Sequence, residues 1–307
     1  MPKSKLRIGV DLGGTKIEAL AMDGDGAELV RRRIATPPGY AESLAAITTL
    51  ITDVEKKAGR SGTIGIGIPG IVVPETGLVK NANSVWLNGQ PLARDLEQRL
   101  GREIRVMNDA DCFALSEASD GAAAGAHVVF GVIIGTGVGG GIVVNGQVLP
   151  GANLIAGEWG HNPLPWMEAD EFPGPSCYCG RTGCIEMWVS GPGFERDHAK
   201  RHGAQIPAAE IVRLASTGDP LATMSLDLYC DRLARSLASL VNVLDPDVIV
   251  LGGGMSNVPD LPSRVAELVP RYILAAGATS SKLMTRFVCA KHGDSSGVRG
   301  AARLWEL

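Results

Sequence analysis

Apolar positions along the first 35 residues fall into short runs separated by turn residues, which predicts strands rather than helices. Residues 6–10 and 17–22 read as two strands, and the Asp-Gly-Asp-Gly sequence at 23–26 as a turn into a third strand near 28–35. Thr36-Pro37-Pro38 breaks the pattern. Leu44, Ile47, Leu50, Ile51 and Val54 then recur at helical spacing over 41–58. A buried strand is expected at 64–68, where glycine alternates with isoleucine, and it ends at Pro69-Gly70. A short helix near 92–100, a strand at 104–107 and a helix opening at Asn108-Asp109-Ala110 follow.

The second half repeats this plan. Residues 127–134 predict a strand, a glycine-rich turn follows, and 141–146 predict a strand ending in an Asn-Gly hairpin signal. Residues 153–195 carry neither period. A long helix is expected over 224–244, with Leu226, Leu233, Leu237, Leu240, Val241 and Leu244 on one face and Asp245-Pro246 closing it. Residues 247–254 read as a strand running into a glycine loop, and 295–305 as a final helix. Each half thus opens with a hairpin around a glycine turn. That repetition, without repeated residue identity, implies two similar α/β domains around a cleft, with no low-complexity linker between them.

Composition narrows the classes. The chain has 307 residues, 45% hydrophobic and 20% charged, ordinary for a globular protein of about two domains. Its 40 glycines are about twice the usual share and cluster, which marks places where backbone must approach something closely. A net charge of −4 argues against non-specific binding to nucleic acid or an anionic membrane. No apolar stretch approaches the ~18 residues of a membrane span, and the N-terminus reads as a first strand rather than a signal peptide. A cytoplasmic protein is expected. Of the six cysteines, three fall within eight positions, which in a reducing compartment points to metal.

The motifs supply chemistry. Asp11-Leu12-Gly13-Gly14-Thr15-Lys16 lies between two strands. Gly13 and Gly14 let backbone N–H groups approach a phosphate, Thr15 and Lys16 add a hydroxyl and a cation, and Asp11 could hold Mg²⁺ through water. A ligand-free hairpin is the plain alternative. Residues 135–141, with Gly135, Thr136, Gly137 and Gly139, form the matching turn of the second half; two such turns would hold a polyphosphate. Gly253 and Gly254 follow a buried strand and leave room for adenosine, or simply make a tight turn. Asn108 and Asp109 open a helix. Both are ordinary N-caps, but phosphoryl transfer needs a base to take a hydroxyl proton, and Asp109 suits it, with Asn108 holding substrate. Cys177, Cys179, Cys184 and His161 make a Cys₃His set of the kind that binds structural Zn²⁺. Such a clip would order a segment that lacks regular structure, bringing Glu158 and Glu186 together to bind sugar hydroxyls; either alone reads as a surface charge. Cys112, Cys230 and Cys289 read as reduced core or helix residues. His127, His198, His202 and His292 have no assigned ligand role, and Trp159, Trp166 and Trp188 read as packing around the cysteine segment.

Together these motifs resemble the ROK family of bacterial sugar kinases and sugar-responsive repressors, from Val10–Lys16 through the Glu158-Trp159-Gly160-His161 block and the Cys-X-Cys-Gly-X-X-Gly-Cys-X-Glu signature at 177–186 to residues 292–302. The resemblance implies an actin-like ATPase fold: two ribonuclease-H-like α/β domains around a cleft. The small domain would be 1–117, joined by a C-terminal helix at 292–307, and the large domain 118–291. It implies ATP, Mg²⁺ and structural Zn²⁺, Asp109 as catalytic base, and Asn83, Asn108, Glu158, His161 and Glu186 on the sugar, with His161 serving both metal and sugar. A homodimer is implied as well. Segments 80–91 and 157–167, and the long gap between His161 and Cys177, resemble the fructokinase branch and imply D-fructose phosphorylated at its 6-hydroxyl, with N-acetylglucosamine, mannose or glucose as alternatives. A sugar-sensing repressor is the rival class. It would need a DNA-binding helix-turn-helix ahead of Asp11, where ten residues stand.

Overall fold

The computed structural model describes residues 6–274 and 283–306; residues 1–5 and 307, at the outer edges of the expected small domain, lie outside the described residues. The opening meander is present as β1 (Arg7–Leu12), β2 (Lys16–Met22) and β3 (Glu28–Ala35), with β1 and β2 antiparallel and Gly13 N–H closing their turn onto the Lys16 carbonyl at 3.0 Å. β3 is the sheet edge, and its run Arg31-Arg32-Arg33 keeps that edge charged rather than forming a basic ligand patch. The helix α1 (Tyr40–Ala58) buries Leu44, Ile47, Leu50, Ile51 and Val54, as the spacing predicts. Then come β4 (Thr63–Ile68), the short pair β5 (Ile71–Val72) and β6 (Val79–Lys80), α2 (Leu92–Leu100), β7 (Ile104–Asn108) and α3 (Asp109–Ser119).

The second series is β8 (Val128–Ile134), β9 (Val138–Val144), β10 (Gln147–Val148), α4 (Glu186–Val189), α5 (Gly191–His202), α6 (Ala208–Ser216), α7 (Pro220–Leu244), β11 (Val248–Gly252), α8 (Leu261–Leu268), β12 (Arg286–Cys289) and α9 (Ser296–Arg303). The two five-stranded sheets have orders β3-β2-β1-β4-β7 and β10-β9-β8-β11-β12. Counted by appearance, both read third, second, first, fourth, fifth, so the repetition seen in the pattern is a repetition of topology. In each, the first, fourth and fifth strands run parallel.

The chain divides into two compact units: residues 1–125, 141–154 and 291–307, and residues 126–140 and 155–290. The hairpin at 141–154, expected with the large domain, groups with the first unit. Its Gly141 explains this, since a Cβ there would press on the Ala110 carbonyl of α3. The same device seats α9 on the first sheet. Gly9 and Gly65 face each other across β1 and β4, and a side chain at either would strike the α9 backbone at Val298 or Ala301. Gly300 meets the Cys112 carbonyl of α3 in the same way. The glycine–isoleucine alternation of β4 is therefore a helix seat on one face and core on the other.

Other expectations need correction. Helix α5 begins inside the segment read as aperiodic, because Ser190 caps it through Gly193 N–H and Pro192 sits in its first turn. Helix α7 starts at Pro220, four residues early, where the Asp219 side chain accepts Ala222 N–H at 2.8 Å. Cys289 is exposed on β12, whereas Cys112 and Cys230 are buried in helices. Among the described residues no helix is long and apolar enough to cross a membrane.

Candidate active site

In the first unit the parallel strands β1, β4 and β7 end together, with Asp11 opposite Gly67, Gly67 opposite Met107 and Ile68 opposite Asn108. Ligands of parallel α/β sheets gather at such carboxyl ends. Asn108 caps α3: its Oδ1 accepts the N–H groups of Ala110 and Asp111 at 2.9 and 3.4 Å, while its Nδ2 donates to the Gly70 carbonyl at 3.3 Å. The cap is real, and it fixes the next residue. Asp109 is the first residue of α3, half-buried, with Oδ1 accepting Ala110 N–H at 2.8 Å. The loop bearing Asn83 comes up beside the glycine turn. Asn83 is exposed and donates its N–H to the Pro69 carbonyl, and a Cβ on Gly14 would stand 3.5 Å from Ser84 Oγ. Thr36 braces the turn by donating its hydroxyl to the Gly13 carbonyl at 2.7 Å and its N–H to the Thr15 carbonyl. Lys16 reaches Asp294 at 3.5 Å.

Asp11 is the electrostatic anomaly of this face. Burial pushes its carboxyl up to about 6, and Glu18, directly across the β1–β2 ladder, adds to that, while Lys16 and Arg33 oppose it. Glu18 is itself buried and paired to Arg33 and Arg31 at 2.5 and 3.2 Å.

In the second unit β8 and β11 end side by side, with Ile133 opposite Gly252. Gly135 N–H closes the turn onto the Gly137 carbonyl at 2.9 Å, and Thr136 stands exposed at its tip. Gly253 has φ 82°, and a side chain there would collide with the Ile134 carbonyl, so only glycine lets this loop lie against the turn; Gly254 is exposed beside it. The start of α5 joins them, with Gly191 N–H donating to the Gly135 carbonyl at 2.8 Å. Gly139 is placed differently from expectation: it lies inside β9, and its carbonyl accepts Trp159 Nε1–H at 2.9 Å. It lies in the strand just beyond the turn. Glu186 is buried, and its Oε2 accepts Val138 N–H at 2.9 Å; a Cβ on Gly137 would lie 2.8 Å from the same oxygen.

The cysteine segment folds as a knuckle. Cys177 N–H donates to the Arg181 carbonyl and Gly180 N–H to the Cys177 carbonyl, with Gly180 and Gly183 at φ 87° and 72°. Its ligand atoms and one from His161 all lie within 4.8 Å of one another. His161 Nδ1 stands 3.6 Å from Cys177 Sγ, and Cys179 Sγ 3.6 Å from Cys184 Sγ. A tetrahedral zinc site with bonds of about 2.0–2.3 Å has edges of roughly 3.3–3.8 Å, so this donor set fits such an ion. Burial pushes the Cys177 and Cys184 thiols up, Cys184 to about 12, while the Arg181 backbone N–H lowers Cys179. Glu158 is exposed, immediately before the turn Trp159–His161 that carries the histidine.

Two features escaped the sequence. Tyr178, between two of the cysteines, places its hydroxyl 2.9 Å from His161 Nε2. Beneath the segment lies a buried ionic network. Glu171 takes Arg232 at 2.7 Å and Arg235 at 2.8 Å, Asp197 takes Arg232 at 2.8 Å, and the Arg232 guanidinium lies 4.3 Å from the centre of the Trp188 ring. Arg235 also donates to the Trp166 carbonyl at 2.7 Å. Two arginines three apart within the apolar-periodic stretch of α7 were the available signal.

The model of the ROK family matches residues 7–307. An N-acetyl-D-glucosamine kinase of Escherichia coli O157:H7 is 40% identical over 302 residues, covering 96% of this chain and 98% of the relative. The crystal structure of a ROK hexokinase from Thermus thermophilus superposes with a TM-score of 0.84 at 33% identity, covering 97% and 96% of the two chains. That of a ROK family glucokinase from Streptomyces griseus in complex with glucose and AMPPNP gives 0.79 at 30% identity, covering 97% and 98%. With the family's model spanning all but the first six residues and relatives matching end to end, this chain belongs to the ROK family.

Proposed function

We propose that the protein is an ATP-dependent sugar kinase whose substrate is N-acetyl-D-glucosamine. The observation that carries the kinase reading is the position of Asp109: a half-buried carboxylate opening a helix where three parallel strands end, fixed by the Asn108 cap. The sugar follows the E. coli relative at 40% identity, which supports N-acetylglucosamine ahead of the fructose expected from segments 80–91 and 157–167. ATP as donor is supported by the AMPPNP complex of the Streptomyces relative.

On this reading Asp109 accepts the proton of the attacking sugar hydroxyl. A bond forms from that oxygen to the γ-phosphorus, the bond to the bridging oxygen breaks, and ADP leaves. Asn83, Asn108, Glu158, His161 and Glu186 orient the sugar. Backbone N–H groups of the turns at Gly13-Gly14 and Gly135–Gly137 hold the phosphates, with Thr15, Lys16 and Thr136 beside them, and Gly253-Gly254 leaves space for adenosine. Mg²⁺ bound with the nucleotide would neutralise phosphate charge, and Asp11 is the residue assigned to steady it. Zn²⁺ would be held by His161, Cys177, Cys179 and Cys184 and would order the knuckle. Catalysis is then largely positioning and charge neutralisation.

The test is ADP release with ATP and Mg²⁺ across N-acetylglucosamine, N-acetylmannosamine, glucose, mannose and fructose. The highest kcat/KM is expected for N-acetylglucosamine. A fructose optimum would replace the sugar and keep the kinase; no turnover on any of them by folded, zinc-loaded protein would overturn the kinase itself.

A further inference from the structure

We propose that a cavity between residues 170–175 and the helices α4 and α5 is a second ligand site, which takes a small phosphorylated sugar with its phosphate on Arg196 and Lys200. The site stands on its own lining. The choice of a sugar phosphate also rests on the kinase reading above, which would supply one.

The cavity holds about 300 Å³, at the lower end of the ~300–1,000 Å³ of small-ligand sites, and shares no residue with those assigned to sugar, phosphates or zinc. Phe172, Pro173, Pro175, Met187 and Trp188 give it apolar walls. Two glycines shape it. Gly174 has φ 81°, and a Cβ there would strike Gly183, so this stretch folds close against the knuckle. Gly193 lets the first turn of α5 close on the Met187 carbonyl, which a Cβ would meet at 2.7 Å.

The charged lining residues fall into two groups. The carboxylates are already matched. Asp170 takes Arg201 at 2.9 Å, Glu171 takes Arg232 and Arg235 at 2.7 and 2.8 Å, and Asp197 takes Arg201 and Arg232 at 3.0 and 2.8 Å. Arginines outside the lining thus neutralise the carboxylates within it. Arg196 and Lys200, one turn apart on α5, are left over. Arg196 is half-buried and donates to the Met187 carbonyl, and among the described residues neither cation has an ion-pair partner. Burial lowers the Arg196 guanidinium, and Asp197 offsets this only through space. A half-buried cation without an anion is unfavourable, and a bound anion would relieve it. Trp188, buried in the same wall, leaves its indole N–H without a hydrogen-bond partner. Two surplus positive charges match a phosphate monoester, which carries about −1.5 to −2 at pH 7, better than a single carboxylate. With the lining carboxylates engaged, the remaining walls offer ring and C–H faces, which suit the C–H face of a sugar ring. Met187 and Trp188 follow Glu186 directly on α4, so an occupant sits against the short helix that carries a sugar-assigned carboxylate.

The experiment is a calorimetric titration of N-acetylglucosamine 6-phosphate into protein saturated with N-acetylglucosamine, AMPPNP and Mg²⁺, which keeps the active site occupied. One molecule is expected to bind per chain, more weakly as salt is added. Lys200→Met, an exposed change outside the ionic network, and Arg196→Met should each raise Kd at least about tenfold, the range for one lost charge-assisted hydrogen bond. Lys200→Met should do so at an unchanged melting temperature. No binding by the saturated wild type would overturn the proposal, as would a Kd that Lys200→Met leaves within about twofold. Inorganic phosphate that binds as tightly as the sugar phosphate would overturn the assignment of a sugar. Failure of the kinase reading is distinct: it shows as a wild type that releases no ADP, while this titration reads binding alone and the two variants locate the phosphate.

Discussion

Glu186 Oε2 accepts the backbone N–H of Val138 at 2.9 Å, tying the residue that follows the cysteine knuckle to the first residue after the glycine turn. One carboxylate therefore ties the segment proposed to bind sugar to the turn proposed to hold phosphate. Gly137 makes this possible, because a side chain there would lie 2.8 Å from the same oxygen. Glu186→Ala leaves the buried Val138 N–H unpaired, at a cost of about 1–3 kcal/mol. It should lower the melting temperature and raise KM for ATP as well as for sugar. Gly137→Ala, which pushes the carboxylate away without deleting it, should show the same double effect. A change in sugar KM alone would mean that the tie to the turn has no role.

Asp109 gives the sharpest prediction for chemistry. Asp109→Asn keeps the size of the side chain and leaves the Asn108 cap in place. The variant should bind sugar with a Kd near that of wild type and lose about 10²–10⁴ in kcat. Calorimetry and a coupled ADP assay separate the two effects. Retention of more than a tenth of wild-type turnover would remove Asp109 from the role of base.

Asp11 connects activity to pH. Its folded-state carboxyl titrates at about 6, well above the ordinary value of 3.8. The folded state therefore binds this proton more tightly than the unfolded state, and the contribution to stability falls as pH rises from about 4 through 6. At pH 7 the ionised group costs at most about 3 kcal/mol. Asp11→Asn should be more stable than wild type at pH 7, and the gap should close toward pH 4. The same substitution should abolish most turnover, and wild-type activity should fall as pH drops below 6. Equal melting temperatures for the two proteins at pH 7 would show that the charge is stabilised by something other than the ion it is assigned to hold.

Much of this was legible in the sequence because it depends on local rules. Strand and helix periods gave both meanders and the long helix, and the two glycine turns marked the repeat before the two sheet orders confirmed it. The Cys₃His set came from spacing alone, and the four ligand atoms do converge. What stayed hidden depends on contacts distant in the chain. No period shows that Gly141 lets a hairpin pack on α3, or that the Gly139 carbonyl takes the Trp159 indole N–H. Tyr178 drew no reading because nothing in Cys-Tyr-Cys says that its hydroxyl reaches His161. The sugar is the least legible feature for a related reason: one hydroxyl or acetamido group alters few contacts, and two short segments say little about them.

The cysteine cluster predicts a bound ion. Purified protein should carry about one zinc per chain, and Cys184→Ser should lose it. Because the Cys177 and Cys184 thiols are held protonated by burial, binding must release protons, and zinc affinity should rise with pH. Stripping zinc should lower both stability and sugar affinity, since His161 and Glu158 ride on the same segment. Intact sugar affinity in zinc-free protein would leave the cluster without a part in the site.

The network under that segment gives the last prediction, and its sign differs from that of Asp11. Burial alone would raise the Glu171 carboxyl, but hydrogen bonds from Arg235 and Arg232 outweigh it and hold the group down at about 2. A depressed carboxyl contributes its stability above the ordinary value of 4.5, and that contribution is lost as pH falls toward 2. Removing one partner of a buried ion pair typically costs about 3–5 kcal/mol, because the remaining charge is stranded. Arg235→Met strands part of Glu171 and frees the Trp166 carbonyl, so it should destabilise strongly at pH 7. Glu171→Gln removes the titrating group, and its stability should change less than that of wild type between pH 4.5 and 2. Both substitutions lie in the second unit and touch none of the residues assigned to sugar or phosphate, so turnover per folded molecule should hold while the folded fraction falls. If denaturant melts show Arg235→Met within 1 kcal/mol of wild type, the network is not what fixes the segment carrying the knuckle.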